Sequence, residues 1–207
     1  MVAHGSCDVS LVLRSYKMTT DCGFAPNPRH GVLSLACCKS DLRRVAVVGE
    51  WIAGFTSKGL NNDPVGAERL VFLVRVGEII PRNEYYERFP QKRHGLGDVC
   101  GDNIYVPQKN GDSYTHCGCP GAHHAHPKNQ ADDARSHCIL LGTEFYYFGR
   151  CPMSIEQAYR PNVPARQSRY GSITTGEAAE RFIRYVKQYA AKTYPGKSGM
   201  FAEPHTS

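Results

Sequence analysis

Two apolar runs set the strongest limit on how this chain can fold. They are Val47-Val48-Gly49-Glu50-Trp51-Ile52-Ala53-Gly54-Phe55 and Arg69-Leu70-Val71-Phe72-Leu73-Val74-Arg75-Val76. Both are rich in β-branched and aromatic residues, and they read as two adjacent buried strands. Gly101-Asp102-Asn103-Ile104-Tyr105 and Phe145-Tyr146-Tyr147-Phe148-Gly149-Arg150 follow downstream. The layout predicts a β-rich domain whose loops bring charged and aromatic groups towards one pocket.

Other strands are expected over 9–16, 32–38 and 138–141, with 69–80 as one long strand and 45–55 hinged at Gly49-Glu50. Cys138 to Leu141 and Phe145 to Phe148 read as a strand pair. Ser40-Asp41-Leu42-Arg43-Arg44 reads as a turn or short helix, and 83–89 as a short amphipathic helix. Pro26 and Pro28 lack amide hydrogens, so 24–31 cannot continue a ladder. The stretch 56–67 reads as a loop. Residues 95–133 are irregular apart from Asn103 to Val106, and so long a structureless segment points to function or mobility. The last helix is the clearest. Thr174-Thr175-Gly176-Glu177 has the capping-box pattern. Ala179, Phe182, Ile183, Val186 and Tyr189 form its apolar stripe, and Pro195-Gly196 ends it.

The expected fold is therefore α+β, with a strongly bent or barrel-like, mostly antiparallel sheet and a C-terminal helix packed on it. A chain of 207 residues does not demand two domains. The expected organisation is one domain over 1–196, with a His/Cys-rich insert at about 111–133 and a flexible tail over 197–207. Hydrophobic residues make up 41% and charged residues 21%, which marks a globular chain rather than a disordered one. The net charge of +6 favours an anionic partner such as a nucleotide or nucleic acid, or equally a solvated basic surface. No apolar run is long enough to span a bilayer, and Met1 to Asp8 lacks the form of a secretory signal. The nine cysteines are odd in number and irregular in spacing, so a reducing cytoplasm is expected rather than a disulfide framework.

Four groups could carry chemistry. His116-Cys117-Gly118-Cys119 with His123, His124 and His126 contains natural zinc ligands, but no second Cys pair answers Cys117 and Cys119 at the usual distance. Cys117, Cys119, His123 and His126 are the zinc alternative to a plain His-rich loop. Asp102 and Asn103 could hydrogen-bond a ligand, or simply form an Asx turn. Lys39, Arg43, Arg44 and Lys58, with Arg169 beside Arg160 and Arg166, could grip phosphate or form a basic surface. In Tyr146-Tyr147-Phe148, two rings belong in a core and one, such as Tyr147, could stack on a base ahead of Arg150. The phosphate-loop, dinucleotide, nucleophile-elbow and zinc-deaminase signatures are all missing.

Several stretches in series resemble one family. They are Phe24-Ala25-Pro26-Asn27-Pro28, Leu35-Ala36-Cys37-Cys38-Lys39 with Arg43-Arg44, Val48-Gly49-Glu50-Trp51-Ile52-Ala53-Gly54, Arg69-Leu70-Val71-Phe72 to Glu84-Tyr85-Tyr86, Gly101-Asp102-Asn103-Ile104-Tyr105, and Ile139-Leu140-Leu141 to Tyr147-Phe148-Gly149. Their order over residues 9–170 resembles the nucleotide-modification-associated domain family, second group. The resemblance implies a role in making or handling modified bases in nucleic acid, in bacteria and their phages. It places Asp102-Asn103, 113–116, Asp132-Asp133 and 147–150 at the site. A looser similarity, in strand order alone, is to the barrel of pseudouridine synthases and archaeosine transglycosylases, which includes readers of flipped bases.

Two functions follow. In an enzyme acting on a nucleobase, His116 with Asp102 or Asp133 would transfer protons, and Arg43, Arg44, Arg150 and Arg169 would hold phosphate. In a non-catalytic module, the same groups would bind a modified base or nucleotide. Oligomeric state and cofactor are left open.

Overall fold

The computed structural model describes residues 11–95, 100–109, 113–117 and 126–205. Eleven strands and five helices lie among them. The largest sheet has six strands in the order β10-β1-β3-β4-β9-β11. These are β1 Val12–Lys17, β3 Trp51–Phe55, β4 Leu70–Arg75, β9 Phe145–Tyr147, β10 Ser172–Thr175 and β11 Gly199–Met200. Strands β1/β3 and β9/β11 are parallel, and the other pairs of this sheet are antiparallel. A smaller antiparallel sheet runs β2-β8-β5, from β2 Leu33–Leu35, β8 Cys138–Gly142 and β5 Glu78–Pro81. A two-stranded hairpin pairs β6 Tyr105–Pro107 with β7 Tyr114–His116. None of these sheets closes into a barrel. The barrel-like expectation is corrected, and the barrel analogy loses its structural basis.

Packing explains why two runs are so apolar. One face of the six-stranded sheet carries Leu13, Trp51, Ala53, Phe55, Leu70 and Leu73, which pack against the helix α5, Gly176–Thr193. The other face carries Tyr16, Ile52, Phe72, Val74 and Tyr147, packed against Leu33, Leu35 and Leu140 of the small sheet. With both faces covered, β3 and β4 have no exposed side to make polar. The outer face of the small sheet is covered in turn. Ile80 and Ile139 meet Tyr85 of α3 (Arg82–Arg88) and Ile104 and Tyr105 of the hairpin region.

Several local expectations change. Val47 and Val48 are 59% and 56% exposed and belong to a turn between α1 (Ser40–Val45) and β3. The run 69–80 divides into β4 and β5, which enter different sheets; β8 and β9 do the same rather than pairing with each other. The loop 56–67 contains a short helix, α2 (Lys58–Asn61), and the irregular stretch contains α4 (Pro127–Ala134). The N-cap of α5 is Thr175, and no side chain caps it. Thr174 lies in β10, where its Oγ1 accepts from the Asn162 amide at 2.9 Å. Residues 199–205, expected as part of a loose tail, add β11 to the sheet edge. Phe201 stacks on Tyr194 there, 4.6 Å between centroids.

Candidate active site

Chain direction reverses sharply between β2 and α1. Cys38 and Lys39 both adopt left-handed backbone, with φ of 58° and 44°, and neither is glycine. Such residues cost on the order of 1–2 kcal/mol each, so the surroundings must hold them. Two buried side chains do so. The Cys38 amide donates to Asp133 Oδ1 at 2.6 Å, and Arg43 Nε donates to the Cys38 carbonyl at 2.9 Å. The corner turns the half-buried Cys38 and Lys39 towards the side chains of β1. Lys39 Nζ sits 4.7 Å above the centroid of the Tyr16 ring.

Tyr16 is 2% exposed, and its hydroxyl has no hydrogen-bond partner. Burial raises its pKa well above the usual phenol range, and the negative charge of Cys38 and Asp21 raises it further. Burial lowers the pKa of Lys39, an effect that Cys38 opposes. Tyr16 shares a row of the large sheet with Tyr147, which holds Asp21. Tyr16, Gly54, Phe72, Tyr147 and Met200 are successive register partners across β1, β3, β4, β9 and β11. The glycine is required, since a Cβ there would lie 2.2 Å from Phe72 Cε1. Tyr147 donates from its hydroxyl to Asp21 Oδ1 at 2.6 Å, while Asp21 Oδ2 and His205 Nε2 are buried without a partner. Burial raises the pKa of Asp21, against the lowering effect of the Tyr147 bond and of His205.

On its other side the Cys38 corner adjoins the hairpin. Asp133 Oδ2 accepts from the Tyr105 hydroxyl at 2.9 Å. The Tyr105 ring meets the His116 ring edge-on at 5.6 Å, and Arg82 covers it at 4.2 Å. Burial, followed by the charge of Asp133, raises the Tyr105 pKa. Asp133, far along the chain, thus holds the Cys38 corner and the Tyr105 hydroxyl together, while His116 meets only the Tyr105 ring. Sequence reasoning missed Cys38, Tyr16, Tyr105 and Asp21 as members. The one available signal was Tyr16 and Asp21 flanking a polar break directly after a strand.

The remaining residues sit elsewhere. Asp102 is buried, accepting from Ser34 Oγ and from the Tyr85 hydroxyl, each at 2.6 Å, and burial raises its pKa despite Lys92. Lys92 itself donates to Asn27, Val32 and Ser34. Asn103 Nδ2 donates to the carbonyls of Tyr85, Tyr86 and Phe89 and closes the end of α3. Arg43 is corrected as a phosphate ligand. It is 1% exposed, and its N–H groups go to the carbonyls of Cys38, Asp133, Ser136 and Cys138. Those bonds hold the end of α4. Tyr147, fully buried, is corrected as a stacking platform. Arg44 is exposed and pairs with Asp41 at 3.2 Å. Lys58 and Arg169 are exposed on elements that adjoin β1. Gly59 and Gln167 both approach Thr19, and Gly171 approaches the Ser15 carbonyl. Arg150 is exposed at the turn after β9, its amide donating to the Glu203 carbonyl at 2.9 Å.

No cluster of three or more potential metal ligands occurs among the described residues. Cys119 and His123 lie outside them. Cys117 is exposed, and His126 caps α4 by accepting from the Lys128 amide at 3.2 Å. No described helix is long and apolar enough to cross a membrane.

Comparison with known families finds one match. The family model described as Nucleotide modification associated domain 2 covers residues 12–204. No curated protein and no solved structure matches the chain.

Proposed function

Since the chain belongs to the nucleotide modification associated domain 2 family, we propose that it is an enzyme modifying a nucleobase at the Cys38 corner. The observation that carries this reading is the Tyr16 hydroxyl, a buried donor without a partner, beside Lys39 and within electrostatic reach of Cys38. A buried unsatisfied polar group costs about 1–3 kcal/mol, and a strained, firmly anchored corner next to it is the usual signature of a working site.

In this reading the Cys38 sulfur adds to an electrophilic ring carbon as the ring double-bond pair moves onto a ring oxygen or nitrogen; the activated neighbouring carbon then takes a group from an electrophilic donor co-substrate and loses its proton, and the C–S bond breaks by elimination, with Lys39 beside the corner. Tyr16, buried beneath the corner, holds the Lys39 ammonium over its ring and so positions that cation. His116, whose ring packs edge-on against Tyr105, moves protons. Asp102, first considered for that role, serves the fold instead. Lys39, Lys58 and Arg169 along β1 supply cationic groups for the phosphates of a nucleotide or polynucleotide. A base within a duplex would have to be flipped out, at a cost of a few kcal/mol.

Mass spectrometry of nucleosides from cells expressing the protein tests this. A new nucleoside mass should appear with the wild type and vanish with Cys38→Ser and His116→Ala. A modification that persists in Cys38→Ser would refute the nucleophile. Unchanged nucleosides, with nucleotide binding that survives both substitutions, would favour the non-catalytic binder.

A further inference from the structure

Away from Cys38, a cavity of about 470 Å³ opens between the 28–31 loop and the edge strand β11. We propose that this cavity is a second ligand site, for a phosphate-bearing ring compound of mononucleotide size, with Arg29 as its anion anchor. The inference does not depend on the chemistry at Cys38, because the two places share no residue.

Its volume falls within the range of sites for small organic ligands. Phe145, 5% exposed and packed closely against Gly199, closes the floor of the cavity, and the partly exposed Met200 gives it an apolar side. Thr143 and Ser198 add hydroxyls to the lining, and Arg29 and His30 add cationic or hydrogen-bonding groups. The arrangement offers an apolar side at Met200, two small hydroxyls and a guanidinium. These match a ring, a sugar and a phosphate, respectively.

Arg29 already holds a carboxylate. Its Nη2 lies 3.1 Å from Glu203 Oε2, and the two side chains are 32% and 52% exposed. An exposed pair of this kind is worth about 0–1 kcal/mol, so an incoming dianion that binds the guanidinium with two oxygens can displace it. Glu203 is thus an internal competitor for the position that the phosphate takes.

Isothermal titration with ribo- and deoxyribonucleoside 5′-monophosphates, inorganic phosphate and a 5′-phosphorylated oligonucleotide tests the proposal. At least one monophosphate or the oligonucleotide should bind saturably, and their relative affinity identifies the source of the phosphate. Arg29→Ala should weaken binding about tenfold or more. Arg29→Lys, which keeps the charge without the fork, should weaken it less. Glu203→Gln should strengthen it several-fold, and Cys38→Ser should leave it intact. The proposal fails if no phosphate compound binds, if binding ignores Arg29 or weakens in Glu203→Gln, or if inorganic phosphate binds as tightly as the ring compounds. Loss of binding in Cys38→Ser would place the ligand at the corner and also overturn it.

Discussion

Tyr16 and Tyr147 lie in one cross-strand row, both fully packed, and differ in what their hydroxyls find. Tyr147 donates to Asp21 at 2.6 Å, whereas Tyr16 has no partner. Replacing each by Phe therefore separates function from stability. In Tyr16→Phe the ring keeps its contact with Phe72, 5.9 Å between centroids, and loses only a hydroxyl that folding has stripped of water. Removing that cost should stabilise the protein by about 1 kcal/mol, the low end of the 1–3 kcal/mol range for such groups. In Tyr147→Phe the Asp21 oxygen loses its donor, which should cost about 1–2 kcal/mol. Urea unfolding followed by circular dichroism reads both. With a slope of about 2 kcal/mol per molar urea, the midpoint should rise by about 0.5 M for Tyr16→Phe and fall by about 0.5–1 M for Tyr147→Phe. Nucleoside modification should fall in Tyr16→Phe despite the gain in stability. If Tyr16→Phe instead destabilises as much as Tyr147→Phe, the hydroxyl is structural and the functional assignment is wrong.

Other outcomes follow from the same geometry. Gly54→Ala drives a Cβ to 2.6 Å from Met18 Sδ as well as into Phe72, and should cost about 1–3 kcal/mol. Adding Phe72→Leu should restore part of the loss in a double-mutant cycle. Arg43→Met removes its bonds to four main-chain carbonyls, of which Asp133 and Ser136 still accept from Arg82, and should destabilise by about 2–3 kcal/mol, measured by urea titration; a phosphate-binding arginine on the surface would show almost no change. Glu68, buried between Lys17 and Arg160, should cost about 3–5 kcal/mol when changed to Gln. Burial pushes the Glu68 carboxyl up, but the Lys17 bond and amide contacts outweigh it and hold the pKa below the usual value. Its contribution is therefore complete above about pH 4.3, the unfolded value, and is lost as pH falls through the lower folded pKa. The stability gap between wild type and Glu68→Gln should narrow over that acidic window in urea titrations at stepped pH.

The interior strands were legible because burial on two faces leaves a composition that little else produces. Trp51 to Phe55 and Leu70 to Val74 show it directly. The separation of β4 from β5 was not legible, since nothing in Val76-Gly77-Glu78 says that the chain changes sheets. The site was half visible. Lys39, Asp133 and His116 stood out by residue type. The Cys38 corner did not, because its left-handed backbone carries no glycine; it is imposed by Asp133 and Arg43, the first far along the chain. Arg43 looked like a surface residue beside Arg44. Its true partners are carbonyls some ninety residues away, and only the tertiary fold supplies them.

Trp51 is the chain's one tryptophan, and it faces α5, with Lys187 Nζ 5.0 Å from its ring. Intrinsic fluorescence will therefore follow the helix leaving the large sheet and little else. Detachment of the small sheet, which carries the approach to the Cys38 corner, would pass unseen by that signal. A reporter on the hairpin side is needed before the two events can be timed against each other.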